Sequence, residues 1–328
     1  MRTIYYTSLF TLLFNVAGIL PIYGIIVREA KGTYPSVSMN KTGKIVYANR
    51  SGSKVYYDLH YSMLDFNNGA PSIIRNYLRY DNGKGINPSI SINNNNIVVE
   101  VHEGSTRGGN CYYKIGNFNE DAKVIDWTGG GRYETKGVLP SVAINTKGQV
   151  VEMHSDRDFK KLYYRVGEIN YDENGIIWEK TQQLFGWNQN VLRKNWVPDW
   201  PAKKNFKGFT VSINENNEVA EVHVEKENKL YTRIGILDPK TKLIDWGKVQ
   251  YYDTGYTPSI CINDFGDVLE AHMGDTNGIW SRWGRFDRKS KTIEWLVNEN
   301  VYEESLMPAV AMNNAGDMYI VRSKEDNR

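Results

Sequence analysis

The sequence is poor in cysteine, in excess charge and in long apolar runs, and each shortage excludes a class of protein. Two cysteines, Cys111 and Cys261, are too few for a disulfide-stapled scaffold, and no Cys or His spacing suits zinc. With 40 Lys and Arg against 38 Asp and Glu, the net charge is only +2, and no basic stripe points to nucleic acid. No apolar run forms a convincing membrane span. We therefore expect no metal, no cofactor, no nucleic-acid partner and no membrane span.

Motifs of catalysis are also absent. The chain contains no Gly-x-Ser-x-Gly, His-Glu-x-x-His, phosphate-loop or dinucleotide-binding motif. We therefore expect a protein that has no catalytic residues and is not an enzyme.

The N-terminal segment has two interpretations. Arg2, the apolar stretch 9–14 and the small pair Ala17 and Gly18 follow the order of a secretory signal peptide. Residues 1–20 are accordingly a possible signal peptide, which predicts a secreted protein, and residues 21–328 form a single domain. If residues 1–20 are instead a strand of the mature fold, we expect a cytoplasmic protein.

A hexapeptide recurs six times along the chain. Its copies start 53, 52, 69, 49 and 50 residues apart, which is the spacing of propeller blades with one enlarged unit. Each copy leads through a short turn into further strand-like runs, and the 22 Tyr, 9 Trp and 29 Gly favour short strands over helices. The copies are Pro35–Asn40, Pro88–Asn93, Pro140–Asn145, Phe209–Asn214, Pro258–Asn263 and Pro308–Asn313.

Four short strands per unit predict an all-β fold, a six-bladed β-propeller of four-stranded blades. The last unit ends after two strands, so we expect the N-terminus to complete it. Residues 22–27 are predicted as its fourth strand and residues 4–6 as a displaced third strand. Strands from both termini would then close the ring and leave no open edge.

A Glu-x-His pair ends the second strand of four units. The two-residue spacing places both side chains on one face of the strand, and the third strand offers a cation opposite them. Repetition in four units favours a buried hydrogen-bond network between blades, and repeated ligand sites are the alternative. The candidate residues are Glu100 and His102; Glu152, His154 and Arg165; Glu221, His223 and Arg233; and Glu270, His272 and Arg282.

Tryptophan recurs at a fixed offset in the fourth strand, at Trp127, Trp178, Trp246 and Trp295. An indole face can pack against a sugar ring, and it can equally fill the wedge between two sheets. The enlarged unit adds Trp187, Trp196 and Trp200 in one connection. That connection predicts either an aromatic binding surface or channel cap, or an insertion folded onto the blade edge.

The repeated phrase is best seen from Pro140 to Trp178 and from Val211 to Trp246. It resembles tandem-repeat propeller proteins, some of them bacterial with host-directed or insecticidal associations. The architecture is also similar to propeller lectins such as tachylectin, which bind one sugar per blade. The resemblance implies a secreted, non-catalytic protein with lectin-like recognition of glycans, or of a cell-surface glycoprotein, through repeated sites. The alternatives are a protein-binding scaffold or toxin component, and, less favoured, a glycan-processing enzyme with one site at the channel mouth.

Overall fold

The computed structural model describes residues 25–30, 32–51, 58–67, 70–81, 85–104, 109–186, 208–275, 278–302 and 306–323. These residues form strands and one short 3-10 turn, Lys226–Asn228. The possible signal peptide, residues 1–20, lies outside the described residues, and so do Trp187, Trp196 and Trp200. Among the residues described, no helix has the length and apolar character needed to cross a membrane.

Five antiparallel sheets of four or five strands form the blades. Blade 1 comprises β2 (Gly32–Met39), β3 (Lys44–Ser51), β4 (Leu59–Asn67) and β5 (Ala70–Asp81). Blade 2 comprises β6 (Gly85–Ile92), β7 (Ile97–Gly104), β8 (Cys111–Asn119) and β9 (Val124–Glu134). Blade 3 comprises β10 (Gly137–Ile144), β11 (Gln149–Asp156), β12 (Lys161–Asn170), β13 (Gly175–Trp178) and β14 (Gln182–Gly186).

Blades 4 and 5 continue the same order. Blade 4 comprises β15 (Phe209–Ile213), β16 (Glu218–Val224), β17 (Lys229–Leu237), β18 (Ile244–Trp246) and β19 (Gln250–Thr254). Blade 5 comprises β20 (Tyr256–Ile262), β21 (Asp267–Met273), β22 (Ile279–Asp287) and β23 (Thr292–Tyr302). A sixth, closing sheet comprises β24 (Leu306–Met312), β25 (Met318–Ser323) and β1 (Ile25–Ala30). The first strands β2, β6, β10, β15, β20 and β24 neighbour one another in this order, and β24 lies against β2, so they surround a central channel.

The closing sheet differs from the prediction. It has three strands, and β1 pairs in parallel with β25, with Ile25 opposite Met318. The N-terminal strand therefore takes the third position of the sheet, whereas we expected residues 22–27 in the fourth. The physical reason is that the free edge of β25 offers unpaired backbone groups, which an arriving strand can bond directly. The all-β propeller arrangement is confirmed, but six four-stranded blades are not.

The serines of the hexapeptide join neighbouring blades along the channel. The backbone N–H of Ile90 donates to the hydroxyl of Ser36 at 3.0 Å, and that of Val142 donates to Ser89 at 3.1 Å. The same contact recurs at Ser141, Thr210 and Ser259. The inner strands of blades 1 to 5 are thus each bonded to the next sheet, which explains why a small hydroxyl residue recurs at this position.

The final asparagine of the hexapeptide has two tasks. The side-chain amide of Asn93 donates to the backbone carbonyl of Asn145 in the next blade at 3.1 Å. Its Oδ1 accepts from the backbone N–H groups of Asn95 and Ile97, which closes the turn to the second strand. We call the propeller face that carries these turns the Asn face. The opposite face, where the Glu-x-His strands end, is the His face.

On the His face, five inner strands carry a β-bulge at the residue before proline. The pairing register shifts at each of them, and the residue has a positive φ between 48° and 57°. Bulges re-aim side chains, and here four of the five buried residues, all but Leu139, line the cavity at the channel mouth, whereas Leu139 packs in the core. These residues are Tyr34, Asn87, Leu139, Thr257 and Met307.

The apolar core is divided among the blade junctions. One cluster joins Val46 and Met63 of blade 1 to Ile90 and Val98 of blade 2, and similar clusters fill other junctions. Both cysteines are buried and free, as their position on separate blades predicts. Since sheets pack face to face around the ring, a residue on either face of a blade meets a neighbour.

Candidate functional site

Each Glu-x-His pair lies buried at a junction between two blades. Nδ1 of His102 lies 2.9 Å from Oε2 of Glu100, and the other three pairs repeat this contact at 2.9 to 3.0 Å. The preceding blade supplies further partners. The hydroxyl of Tyr80 donates to Glu100 at 2.8 Å, and a carboxylate oxygen of Asp81 lies 3.1 Å from Nε2 of His102. We call each such set an interblade clamp.

The cation predicted opposite the glutamate bonds to the preceding blade instead. Arg165 is the cross-strand neighbour of Glu152, yet its guanidinium donates to Glu134 at 3.3 Å and to the carbonyl of Tyr133 at 2.6 Å. At the junction between blades 4 and 5, Arg282 likewise donates to Asp253 of the preceding blade at 2.7 Å. Arg233 lies opposite Glu221 and packs its guanidinium 5.9 Å from the ring centre of Trp246.

Two of the clamp histidines, His102 and His223, are held in the charged form. Burial lowers the pKa of His102, but the negative charges of Glu100 and Asp81 outweigh burial and raise it to about 9. Burial likewise lowers the pKa of His223, and Glu221 and Glu225 raise it to about 9. Positive imidazolium groups therefore balance the buried glutamates at these junctions.

The recurring tryptophans pack between blades. Each lies opposite the glycine that ends the third-strand motif, as Trp178 lies opposite Gly167, where a Cβ on the glycine would come within 2.8 Å of the indole. Trp178 also contacts Tyr113 and Tyr133 of blade 2, with ring centroids 6.0 and 4.9 Å apart. Trp127, Trp246 and Trp295 form the same cross-strand pair with glycine.

These positions decide how a ligand could reach the candidate residues. The four glutamates are 0% exposed and the four histidines at most 4%, so a ligand at the surface cannot contact them while the blades stay packed. Their geometry supports the network interpretation, and the wedge-filling interpretation of the four tryptophans. A ligand-binding role for these residues stays a prediction.

The structure adds members of the clamp that the sequence interpretation missed. A Tyr followed by an acid ends the fourth strand of three blades, and both side chains point to the clamp of the next blade. The recurring dipeptides, Tyr80-Asp81, Tyr133-Glu134 and Tyr252-Asp253, were a visible signal. In the third strand, the tyrosine two residues before the cation position stacks on the clamp histidine of the same blade. The ring centroids are 5.5 to 5.7 Å apart for Tyr112, Tyr163 and Tyr231.

Blade 1 departs from the repeat. Strand pairing places Tyr47 at the glutamate position and Asn49 at the histidine position, because Val37 pairs with Tyr47 as Ile90 pairs with Glu100. Both polar atoms of Asn49 are buried and find no hydrogen-bond partner among the described residues. Within the described part of the chain, the junction between the closing sheet and blade 1 therefore has no Glu-x-His clamp of the kind found in blades 2 to 5.

The central channel offers little for acid or base chemistry. Its walls are the inner strands, which present serine, threonine and aliphatic side chains. Two cavities of about 60 and 90 Å³ lie along it, and among their described lining residues there is no carboxylate or imidazole. No cluster of three His, Cys, Asp or Glu suited to a metal occurs among the described residues.

Several polar residues lie close together beside the channel mouth on the His face. We call them the mouth cluster. Oε2 of Glu103 accepts from the amide of Asn87 at 3.0 Å and from the backbone N–H of Leu139 at 3.3 Å. The guanidinium of Arg50 lies 4.9 Å from the ring centre of Tyr34. The members are Tyr34, Arg50, Asn87, Glu103 and Arg157.

Burial and charge shape this cluster. Burial raises the pKa of Glu103, while bonds from Asn87 and Leu139 and the charge of Arg157 oppose that rise. Burial also raises the pKa of Tyr34; the charge of Arg50 lowers this pKa and the charge of Glu103 raises it. One carboxyl group and two guanidinium groups thus meet at one side of the mouth. The other side is apolar, where the ring of Tyr34 packs with Met273, Leu306 and Met307.

The sequence interpretation did not find the mouth cluster, because its members do not repeat. Glu103 and Arg50 both follow the clamp position of their strands, where blade 3 has Ser155 and blade 5 has Met273. Variation from unit to unit at this position and at the bulges was the only signal. These side chains come together only because the blades close into a ring.

Comparisons with known proteins show the fold. No protein-family model matches the chain, and no curated protein matches it. The structure of NanB plus Optactamide is similar at a TM-score of 0.58 and 10% identity, over 92% of this chain and 67% of that one. A Dyadobacter fermentans protein of unknown function has a TM-score of 0.55 and 11% identity, over 93% and 98% of the two chains. The BP39L lectin from Burkholderia pseudomallei has a TM-score of 0.49 and 12% identity, over 87% and 75%.

The expectation that the protein is not an enzyme is contradicted. Propellers named as enzymes are among the matches, such as the Hadza microbial sialidase Hz136 and an α-L-arabinofuranosidase from Podospora anserina. The missing sequence motifs do not exclude catalysis in such a fold, because a propeller assembles its site from residues far apart in sequence. At about 10% identity the likeness shows the fold alone, so none of their residues is carried over.

Proposed function

We propose that the protein recognises a glycan at the mouth of the channel on the His face. The observation that carries this proposal is the asymmetry of the mouth. Blade 2 brings Asn87 and Glu103 to one side, and on the other side Tyr34 of blade 1 packs with Met273 of blade 5 and Met307 of the closing sheet. A sugar presents hydroxyl groups at its edges and apolar C–H faces, which suits a mouth with both characters.

The size of the cavity limits how the ligand sits. About 60 Å³ holds roughly two water molecules, which is far less than a sugar ring needs. The ligand therefore lies over the mouth and inserts one substituent. The two guanidinium groups of the mouth cluster favour a substituent that carries negative charge.

Hydrolysis of the bound glycan is the second candidate function. It is favoured by Glu103, a buried carboxyl group whose pKa burial raises and which stands beside Tyr34. A carboxyl group with a raised pKa is suited to donate a proton to a leaving group. Neutral and acidic aryl glycosides would report turnover, which Glu103→Gln abolishes if Glu103 is that proton donor.

The binding test uses a glycan array followed by titration calorimetry on the best ligand. We expect close to one site per chain and at least a tenfold loss of affinity in Arg157→Ala and Glu103→Gln. Arg132→Ala is the matched control, because Arg132 is exposed on the outer strand of blade 2.

Three results would contradict the proposal. About four sites per chain would point to the repeated blade junctions instead. Unchanged affinity in both mouth variants would place the site elsewhere. Binding of a single protein partner that free sugars do not displace would favour the scaffold or toxin-component alternative.

A further inference from the structure

A second concave region lies on the opposite side of the molecule, across the outer rim of blade 3. Two adjoining cavities of about 440 and 260 Å³ share Asn170 and Ile177 in their walls. Together they extend from Gly129 and Gly130 of blade 2 to Lys242 of blade 4. We call this region the rim groove. Its larger cavity alone is within the usual range for small-ligand sites.

The rim groove has an exposed apolar floor. Tyr171 is 57% exposed and Ile177 is 60% exposed, and both line the larger cavity. Large apolar side chains exposed side by side in a concavity are uncommon on a monomer surface away from binding sites. The ring of Tyr171 offers a flat face of the kind that C–H groups of a sugar can cover.

The walls of the rim groove are acidic. Glu168, Asp172 and Glu179 line the larger cavity, and Glu173 lines the smaller one. The one lysine of this lining, Lys242, already pairs with Glu168 at 2.6 Å. No lysine or arginine of the described residues forms an ion pair with Asp172 or Glu179, so a ligand with positive charge is attracted to them and an anionic ligand is repelled.

Amide groups add hydrogen-bonding capacity at the blade 2 end. Asn170 and Asn174 line the smaller cavity, and the amide of Asn170 already donates to Glu173 at 3.0 Å. The glycines of β9 keep this end open: a Cβ at Gly129 would collide with the carbonyl of Asn174 at 1.7 Å. The floor therefore continues smoothly between blades 2 and 3.

We propose that the rim groove binds an oligosaccharide that contains unacetylated amino sugars. Such a ligand combines a ring face for Tyr171, hydroxyl groups for the asparagines and ammonium groups for Asp172 and Glu179. A basic peptide is a poorer occupant, because the outer strand β13 has four residues and offers only a short edge for strand addition. The site is separate from the mouth cluster, since the turn that carries Tyr171 lies on the Asn face.

The test measures binding of glucosamine oligomers at about pH 6, where amines are protonated. We expect Tyr171→Ala and Asp172→Asn each to weaken binding at least tenfold, and N-acetylated oligomers of equal length to bind at least tenfold more weakly. Tyr251→Ala is the matched control, because Tyr251 is 55% exposed on the rim of blade 4. Circular dichroism checks that each variant is folded.

The outcomes separate this site from the channel mouth. Glu103→Gln must leave glucosamine-oligomer binding unchanged, so a failure of the mouth proposal does not affect this test. Binding of oligolysine as tight as that of the amino sugar, or loss of binding in Asp172→Asn without loss in Tyr171→Ala, would reduce the groove to simple cation attraction and overturn the proposal. Absence of binding to the wild-type protein would overturn it as well.

Discussion

Blades 2 to 5 and blade 1 use the same strand positions in different ways. In blades 2 to 5 the second strand carries Glu-x-His, and in blades 2, 3 and 5 an acidic residue of the preceding blade also contacts the histidine. In blade 1 the same positions hold Tyr47 and Asn49, and no clamp joins it to the closing sheet among the described residues. The next position, however, is Arg50, a member of the mouth cluster. Residues that repeat hold the ring together, and residues that differ between units face the mouth.

The largest expected effect comes from breaking a clamp. Glu152→Ala leaves His154 and Tyr133 without their buried partner, and we expect a loss of about 3 to 5 kcal/mol in the free energy of unfolding. Urea unfolding followed by tryptophan fluorescence measures it. Glu168→Ala, an exposed carboxylate paired with Lys242, should cost less than about 1 kcal/mol. Equal costs in the two variants would show that the clamp contributes no more than a surface ion pair.

Stability should also fall as the solution becomes alkaline. The folded-state pKa of His102 and His223 is about 9, above the value of about 6.5 for an unfolded histidine. The contribution of the two protonated imidazoles is therefore complete below about pH 6.5 and lost as the pH rises through about 9. We expect a decrease on the order of a few kcal/mol over this window. The double variant His102→Gln and His223→Gln should show a flatter profile, and an unchanged slope would contradict the assignment.

A smaller effect is expected at the channel serines. Ser89→Ala removes the acceptor for the backbone N–H of Val142, and we expect a loss of about 1 kcal/mol. The control is Ser72→Ala, whose hydroxyl bonds at an exposed position of β5. The closing sheet already has Ala309 at the serine position, so Ala309→Ser should be neutral or slightly stabilising. A large loss of stability in Ala309→Ser would show that this position does not accept the serine contact that joins the other blades.

The smallest effect on stability is expected in the mouth cluster. Glu103→Gln retains an oxygen that can accept from Asn87 and Leu139, and the group it replaces already has a raised pKa. We expect a change in the free energy of unfolding below about 1 kcal/mol, together with the loss of ligand affinity described above. A loss comparable to that of Glu152→Ala would place Glu103 with the architectural residues.

Much of the fold could be predicted from the sequence because its signals are local and repeated. The hexapeptide, the glycine of the third strand and the tryptophan of the fourth all recur at fixed offsets, and in blades 2 to 5 the structure pairs the glycine with the tryptophan. The cross-strand register of Glu152 with Arg165 follows from strand pairing alone. What failed was the partner of the cation, because Glu134 comes from the preceding blade.

The site was far less predictable than the fold. Glu103 and Asn87 belong to one blade, but Arg50 and Arg157 come from its two neighbours, and their convergence needs the blades to be packed around a ring. The rim groove likewise joins residues of three blades. Ile177 is exposed there on an outer strand, although the alternation of side chains along a strand is equally consistent with a buried Ile177.

The sequence by itself determined the strands, their order within a blade and the residues that hold blades together, because a repeated junction needs the same side chains each time. Only the tertiary structure decided three other features: the three-stranded closing sheet, the partners of the third-strand cations and the two places where unlike residues meet. Those features depend on contacts between blades that are distant in the chain. A ring brings such residues together by its closure, and no local pattern records which of them will face each other.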